Sequence, residues 1–157
     1  MRQENRIPII SDILYDNKNK YKLLMNWGIE SEEILENWCD RYGEFIEFWE
    51  SNPDLRLPQV LINLGIMPNF GGFYYHKEDE DSMIESGLID ARDILFWGIN
   101  YTKDNKPLDE TAWTLIADMN TDHISTIVSL INKRKMAVSP VYTKYFREEL
   151  KLRRNGK

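Results

Sequence analysis

The 157-residue sequence has little cysteine and no long apolar run. Its one cysteine, Cys39, can neither form a disulfide within the chain nor build a thiolate zinc site alone, which favours a reducing compartment. The N-terminal stretch MRQENRIPII has no apolar segment of signal-peptide length, and no run approaches the roughly 18 apolar residues that a membrane span needs. We therefore expect a cytoplasmic protein that is not embedded in a membrane.

Local catalytic and nucleotide-binding motifs are also missing. The chain contains no G-x-S-x-G, no P-loop, no G-x-G-x-x-G and no C-x-x-C pair. Only two histidines, His76 and His123, are available to a catalytic triad or a Cys–His pair. We therefore expect a protein that is not an enzyme and that uses no cofactor and no metal.

The residues that are present indicate an ordered single domain of the α+β class. Aromatic residues make up 12% of the chain, which is unlike disordered sequences. Helical patterns fill the N-terminal half, a β-hairpin pattern covers DILFWGINY and TAWTLIADM, and two further helical patterns follow. This order predicts a mainly helical protein with a small antiparallel hairpin or sheet packed by helices. Residues 1–75 and 92–157 are possible subdomains.

The helix signals are specific enough to place several ends. Ser31 is a predicted N-cap, and one long helix is expected from there to Trp49, because apolar residues recur every three or four positions. A short helix over residues 57–64, with Asp54 as its cap, is expected to close at Gly65. The stretch FYYH (73–76) is a candidate strand.

Charge is distributed unevenly along the chain. Residues 133–157 carry nine Lys or Arg and two Glu, a local charge of +7, whereas the whole chain has a charge of −6 and residues 1–132 therefore carry −13. A basic end of this kind fits nucleic acid, an acidic partner or the acidic part of a second copy. The sequence pI of about 5.0 is unlike that of most nucleic-acid-binding domains, which exceed a pI of about 9.

Two clusters offer chemistry and a simpler structural explanation. HKEDED (76–81) is a candidate cation site through imidazole and carboxylate groups, but adjacent residues on a helix diverge, which favours a solvated acidic turn or a recognition patch. In DMNTDH (118–123), His123 oriented by Asp118 is a candidate general base. The simpler interpretation has Asn120 or Thr121 capping a helix, with Asp122 in its first turn.

Two stretches resemble known sequences. FWESNPDLRLPQVLINLG resembles the W-x-x-N-P-D-L-R-L-x-Q core of small phage and prophage proteins whose activity is not characterised. DILFWGINYTKDNKPL, followed by IADMNTDHISTIV, resembles a second pattern in such proteins, in which a Trp-Gly strand and a turn precede a D-M-x-T-x-H-I helix start. Asn105 stands where that turn usually has glycine. The resemblance implies a phage or mobile-element origin, hence the host cell cytoplasm, and it implies no catalytic residues.

These observations together predict a small phage-type protein that acts by binding a protein. The partner is expected to be a host or bacterial defence factor that this protein inhibits, and self-association into a homo-oligomer is a further expectation. The alternatives are nucleic-acid binding through the basic C-terminal helix and an undetected metal-dependent hydrolase or nuclease. The predicted contact residues are Arg56, Glu78, Asp79, Glu80, Asp81, Lys144, Arg147, Lys151, Arg153 and Arg154.

Overall fold

A computed structural model describes residues 4–70, 78–102 and 104–156 of the chain. It divides the chain into two compact units, residues 1–89 and residues 90–157, each of which is described by itself. The described residues are mainly helical and include a two-stranded antiparallel sheet. The predicted α+β class is thereby confirmed. The predicted strand at 73–76 lies outside the described residues.

The first unit consists of helices in the part of it that is described. They are α1 (Arg6–Leu14), α2 (Asn17–Asn26), α3 (Glu32–Asp40), α4 (Tyr42–Ser51), α5 (Leu57–Asn63) and α6 (Asp79–Glu85). Three fully buried aromatic residues from α3 and α4 form the centre of its core. The ring centroid of Phe45 lies 5.5 Å from that of Trp38 and 5.8 Å from that of Trp49.

The expected single helix from Ser31 to Trp49 is wrong, because the chain breaks it into α3 and α4 at Arg41. Arg41 has φ −108° and ψ 22°, outside the helical range. Its guanidinium donates two hydrogen bonds of 2.9 Å to Glu44 in the first turn of α4. The apolar residues keep the same spacing on both sides of Arg41, so their periodicity does not indicate the break. The predicted cap is confirmed, since the Ser31 hydroxyl accepts from the backbone N–H of Ile34.

Three helices of the first unit end in the same kind of turn, with glycine in a left-handed conformation. The glycines Gly28, Gly65 and Gly87 have φ values of 80°, 71° and 77°. In each turn the N–H of the next residue bonds to the carbonyl five positions earlier, as in a Schellman motif. The predicted helix end at Gly65 is confirmed.

The second unit joins a hairpin to two helices. Its elements are β1 (Phe96–Tyr101), β2 (Pro107–Leu115), α7 (Thr121–Asn132) and α8 (Pro140–Gly156), with short 3-10 turns at Ala91–Asp93 and Ile116–Asp118. Trp97 pairs with Thr114 and Gly98 with Trp113, and the register shifts between Ile99 and Tyr101. The hairpin, both helices and the Asn120 cap are as predicted.

No helix in the described part of either unit is long and apolar enough to cross a membrane.

Candidate functional site: the charged segments and the exposed hairpin

The acidic segment at the start of α6 is largely an interior feature. Asp79 is buried, and its Oδ1 accepts from the backbone N–H of Leu57 at 2.7 Å, which caps the N-terminus of α5. Asp79, not the predicted Asp54, therefore bonds to the first turn of α5. The prediction that Asp79 belongs to a contact surface is therefore wrong, because a buried carboxylate cannot contact another protein.

The buried partner of Asp79 is Arg6, which sequence reasoning missed. Arg6 Nε donates to Asp79 Oδ2 at 3.1 Å, and Arg6 Nη2 donates to the carbonyl oxygens of Pro53 and Leu55 at 2.7 and 3.1 Å. The guanidinium also lies 5.5 Å from the ring centroid of Trp49. The stretch WESNPDLR therefore packs against the buried guanidinium of Arg6.

Two of the predicted contact residues, Arg56 and Glu78, form a salt bridge with each other. Arg56 Nη2 donates to Glu78 Oε1 at 3.1 Å, and both side chains are partly exposed. Such a partly exposed pair contributes little to stability.

Glu80 is the second predicted contact residue that the fold withdraws from the surface. Its side chain is 9% exposed, and its Oε1 has no hydrogen-bond partner. Burial, together with the neighbouring carboxylate of Asp79, raises the pKa of Glu80 to about 7. Asp81 is half-buried. Of the four predicted acids, Glu78 and Asp81 are therefore the ones that remain partly accessible.

Four of the five predicted basic contact residues are exposed on helix α8. Lys144, Arg147, Lys151 and Arg154 are exposed and follow the spacing i, i+3, i+7 and i+10. Residues at this spacing lie along one helix face, here over about 15 Å. Arg147 also donates to Asn132 Oδ1 at 2.7 Å.

Arg153, the fifth predicted basic contact, belongs to the interior framework of the second unit. Its Nε donates to the buried Glu149 at 2.7 Å, and its other nitrogens donate to Thr121 Oγ1 and to the carbonyls of Ile116, Ala117 and Met119. Arg92 also bonds to Glu149, at 2.8 Å. The prediction that Arg153 belongs to a contact surface is therefore wrong, because its hydrogen-bond donors are engaged within the second unit.

The two faces of the hairpin differ in what they contact. On the inner face, Trp97 packs edge-on against Tyr142 and Phe146 of α8, with ring centroids 5.7 and 5.1 Å apart. The Tyr142 hydroxyl donates to the carbonyl of Phe96 at 2.6 Å. These contacts fasten β1 to α8.

The outer face carries Trp113, which is 45% exposed. A Cβ placed on Gly98 would lie 3.0 Å from the Trp113 ring and 2.8 Å from Thr111, so the indole lies directly over the glycine. On the same face, Thr111 Oγ1 donates to Asn100 Oδ1 at 2.6 Å. The absence of a side chain at residue 98 thus fixes the position of an exposed tryptophan.

Large apolar side chains are concentrated at the surface of the hairpin. Seven large apolar residues are exposed in the described part of the chain, and three of them, Tyr101, Leu108 and Trp113, are in the hairpin. Every residue of β2 from 107 to 113 is exposed. The places of Trp97 and Trp113 in the register put the two tryptophans on opposite faces of the hairpin.

The residues considered for catalysis differ in their exposure. Asp118 is exposed and His123 is half-buried at the start of α7. Among residues 4–70, 78–102 and 104–156, no group of three or more His, Cys, Asp or Glu side chains is placed to hold a metal ion. His76, the other residue of the acidic cluster considered for a metal, lies outside these ranges.

No known family model, curated protein or solved structure matches the chain.

Proposed function

We propose that this protein acts by binding another protein, and that the outer face of the hairpin is the contact element. The observation that carries the proposal is Trp113, which is 45% exposed and held in place over Gly98. Tryptophan is enriched among the residues that dominate binding energy, because its large ring buries much apolar area.

The fixed position of the indole favours binding further. Ordering a side chain at an interface costs roughly 0.5–1.5 kcal/mol. Trp113 lies between Gly98 and Thr111 on a paired strand, so most of that ordering is complete before a partner arrives. A partner with an apolar pocket for the indole is the chemistry that this surface fits.

The charges of the hairpin favour protein over nucleic acid as its partner. Asp109 and Glu110 lie on β2 within four residues of Trp113 and are exposed. Carboxylates on the strand that carries the tryptophan repel phosphates, whereas protein interfaces accept mixed charge at their rim.

For the class of partner, we propose a host or bacterial defence factor that is inhibited when the hairpin covers its surface. The resemblance of NPDLRLPQ and of the Trp-Gly hairpin to small phage proteins supports this choice. Inhibition then requires occupancy alone, in the cytoplasm of the host, and no chemical step by this chain.

The test is differential capture from a bacterial lysate by the full-length chain. Wild-type protein, Trp113→Ala and Tyr15→Ala are immobilised in equal amounts, and retained proteins are quantified by mass spectrometry. Tyr15 is a matched control, since it is 77% exposed and belongs to the other unit. We expect a retained protein that Trp113→Ala loses and Tyr15→Ala keeps; equal retention by all three chains contradicts the proposal.

The basic stripe of α8 supports a second candidate function, nucleic-acid binding. Lys144, Arg147, Lys151 and Arg154 line one face of the helix, a spacing suited to a phosphate backbone. A gel shift with single- and double-stranded DNA and RNA at low salt tests it. Binding that weakens steeply with salt and disappears on reversal of these four charges supports this candidate, and no shift at low salt removes it.

A further inference from the structure

The first unit contains a groove of about 910 Å³ between α3 and the chain that follows α5, with both apolar and polar groups in its lining. Two turns of similar sequence, Asn26-Trp27-Gly28-Ile29 and Asn63-Leu64-Gly65-Ile66, contribute residues to its walls. In these turns the N–H of Ile29 bonds to Leu24 O and that of Ile66 to Leu61 O, each at 2.9 Å. The repeated turn brings a buried isoleucine into the groove from each side.

Two polar side chains of the groove walls form hydrogen bonds within the first unit. Asn37 donates to the carbonyl of Ile66 at 3.3 Å, which ties α3 to the opposite wall. The indole N–H of Trp27 donates to Ser82 Oγ at 3.1 Å. Because the Asn37 bond joins the two walls, they are held together without an occupant.

Phe70 makes the edge of the groove apolar as well. Its side chain is 51% exposed, whereas Ile66 and Met67 beneath it are 3% and 2% exposed. An exposed phenylalanine next to buried apolar residues is typical of a surface that binds an apolar group of another molecule.

The charge around the groove has one sign. Glu30 and Glu33 line it, and Glu30 and Glu32 line an adjoining cavity of about 230 Å³ that shares Ile29, Glu30 and Ser31 with it. The described residues that line the groove and this cavity include no Lys or Arg, and residues 23–40 of the sequence include five acids and no base. The first unit has eight Lys or Arg against 17 Asp or Glu, a formal charge of −9.

We propose that this groove binds an amphipathic helical segment of a partner protein, with apolar side chains in the groove and Lys or Arg against Glu30 and Glu33. The described walls consist of helix, turns and the coil at residues 68–70, and they contain no β-strand with which an extended peptide could pair. A helix satisfies its own backbone and presents apolar residues at i, i+3, i+4 and i+7. This surface is separate from the hairpin and goes beyond the function proposed for it.

The test uses a fluorescein-labelled synthetic peptide of leucine and lysine, roughly 18 residues long, with leucines on one helical face. Fluorescence anisotropy measures its binding to the full-length chain. A peptide of the same composition with scattered leucines and one with glutamate for lysine are the ligand controls. We expect the patterned peptide to bind about tenfold or more tightly than either control, because only it combines an apolar face with positive charge.

Matched variants separate the groove from general charge attraction. Glu30→Lys with Glu33→Lys is expected to weaken binding about tenfold, and Phe70→Ser about fivefold. Glu47→Lys with Glu50→Lys changes the charge of the same unit equally at exposed positions outside the groove, and is expected to weaken binding less than about threefold. Equal loss in both charge variants, or equal binding of patterned and scattered peptides, overturns the proposal.

Two further outcomes identify what failed. Trp113→Ala is expected to bind the peptide as wild type does. A negative result in the lysate capture experiment would therefore contradict the hairpin proposal but not the groove proposal. Sedimentation of the chain alone tests whether a second copy fills the groove. A dimer that dissociates on Glu30→Lys with Glu33→Lys, and that the peptide disrupts, overturns the choice of a different protein as the occupant.

Discussion

The guanidinium of Arg6 is fully buried, and its acceptors come from two distant parts of the first unit. Asp79 supplies a balancing charge, and the carbonyls of Pro53 and Leu55 each accept a hydrogen bond. The loop before α5 is therefore ordered by a cation on α1. This arrangement explains why a Pro-containing turn can lie against the core without orphaned carbonyls.

Asp79→Asn is expected to destabilise the protein by about 3–5 kcal/mol, because it leaves the Arg6 charge buried without its counter-charge. Urea denaturation at neutral pH measures the effect. Glu47→Gln, at an exposed position of α4, is the control and should change stability by less than about 0.5 kcal/mol. Similar stability of Asp79→Asn and wild type would show that the pair does not hold the loop.

Glu80 gives stability a pH dependence whose sign follows from its raised pKa of about 7. The folded protein holds this proton more tightly than the unfolded chain, so the contribution is full below the ordinary glutamate pKa and is lost as pH rises through 7. Asp79 and Glu78 raise the pKa, whereas Arg6 lowers it.

Glu80→Gln should therefore be more stable than wild type at pH 8, by up to about 2–3 kcal/mol, and closely similar at pH 4.5. The urea midpoints of both proteins at the two pH values test this. The comparison between variants cancels the other titrating groups. A difference that is independent of pH contradicts the raised pKa.

At this scale the sequence allowed some assignments and hid others. Arg56 was predicted as a contact residue, but its salt-bridge partner is 22 positions away and no local pattern identifies it. Arg6 lies four residues before the buried Ile10 on the apolar face of α1, a signal that sequence reasoning did not use. A charged residue in an apolar stripe predicts burial, yet its partner depends on tertiary packing.

Among the helices, α7 ends in the same turn as α2, α5 and α6, but without glycine. Arg134 occupies the left-handed position with φ 59°, and the N–H of Lys135 bonds to Leu130 O at 2.9 Å. A side chain with Cβ is disfavoured there by roughly 1–2 kcal/mol. This helix end therefore contains backbone strain that the other three avoid.

Arg134→Gly is expected to stabilise the protein by about 0.5–1 kcal/mol. This value is the backbone strain that is relieved minus the free-energy cost of the extra conformational entropy that glycine gives the unfolded chain. The reciprocal change, Gly65→Ala, should destabilise by about 1 kcal/mol. An added Cβ at Gly65 meets no atom within 4 Å, so backbone strain is its main cost. Thermal unfolding of both variants measures the pair, and shifts of the same sign would contradict this explanation.

Neighbouring arginines of α8 provide a second contrast between elements. Arg153 joins α8 to the turn at residues 116–121 through four acceptors besides Glu149, whereas Arg154 is exposed. Arg153→Ala should cost about 2 kcal/mol or more, because charge-assisted bonds to carbonyls are lost. Arg154→Ala should cost less than about 0.5 kcal/mol. Equal urea midpoints for the two variants would refute the structural role of Arg153.

Element boundaries followed from sequence wherever a local signal fixes them. Ser31, Asn120 and the three helix-ending glycines act within one turn, so their roles could be predicted. The break at Arg41 could not, since the apolar spacing of α3 continues into α4 without interruption. The alternation of strands indicated the hairpin but not its faces, and the exposure of Trp113 depends on the register opposite Gly98.

Over the whole chain, charge is divided between the two units. The first unit carries −9, and the second has 12 Lys or Arg against nine Asp or Glu, a charge of +3. The sequence indicated this division, but it also suggested contact roles for Asp79 and Glu80, which are buried, and for Arg153, whose donors are engaged within the second unit. Linear composition counts charges without showing which of them the fold uses internally.

The account of function depends on one surface, the outer face of the hairpin. The direct test is the dissociation constant of the retained protein, measured by titration calorimetry with wild type, Trp113→Ala and Tyr15→Ala. The account predicts that Trp113→Ala weakens binding by at least about tenfold, as expected for a tryptophan at the centre of an interface, while Tyr15→Ala leaves it unchanged. Equal affinity of Trp113→Ala and wild type for that protein would contradict it.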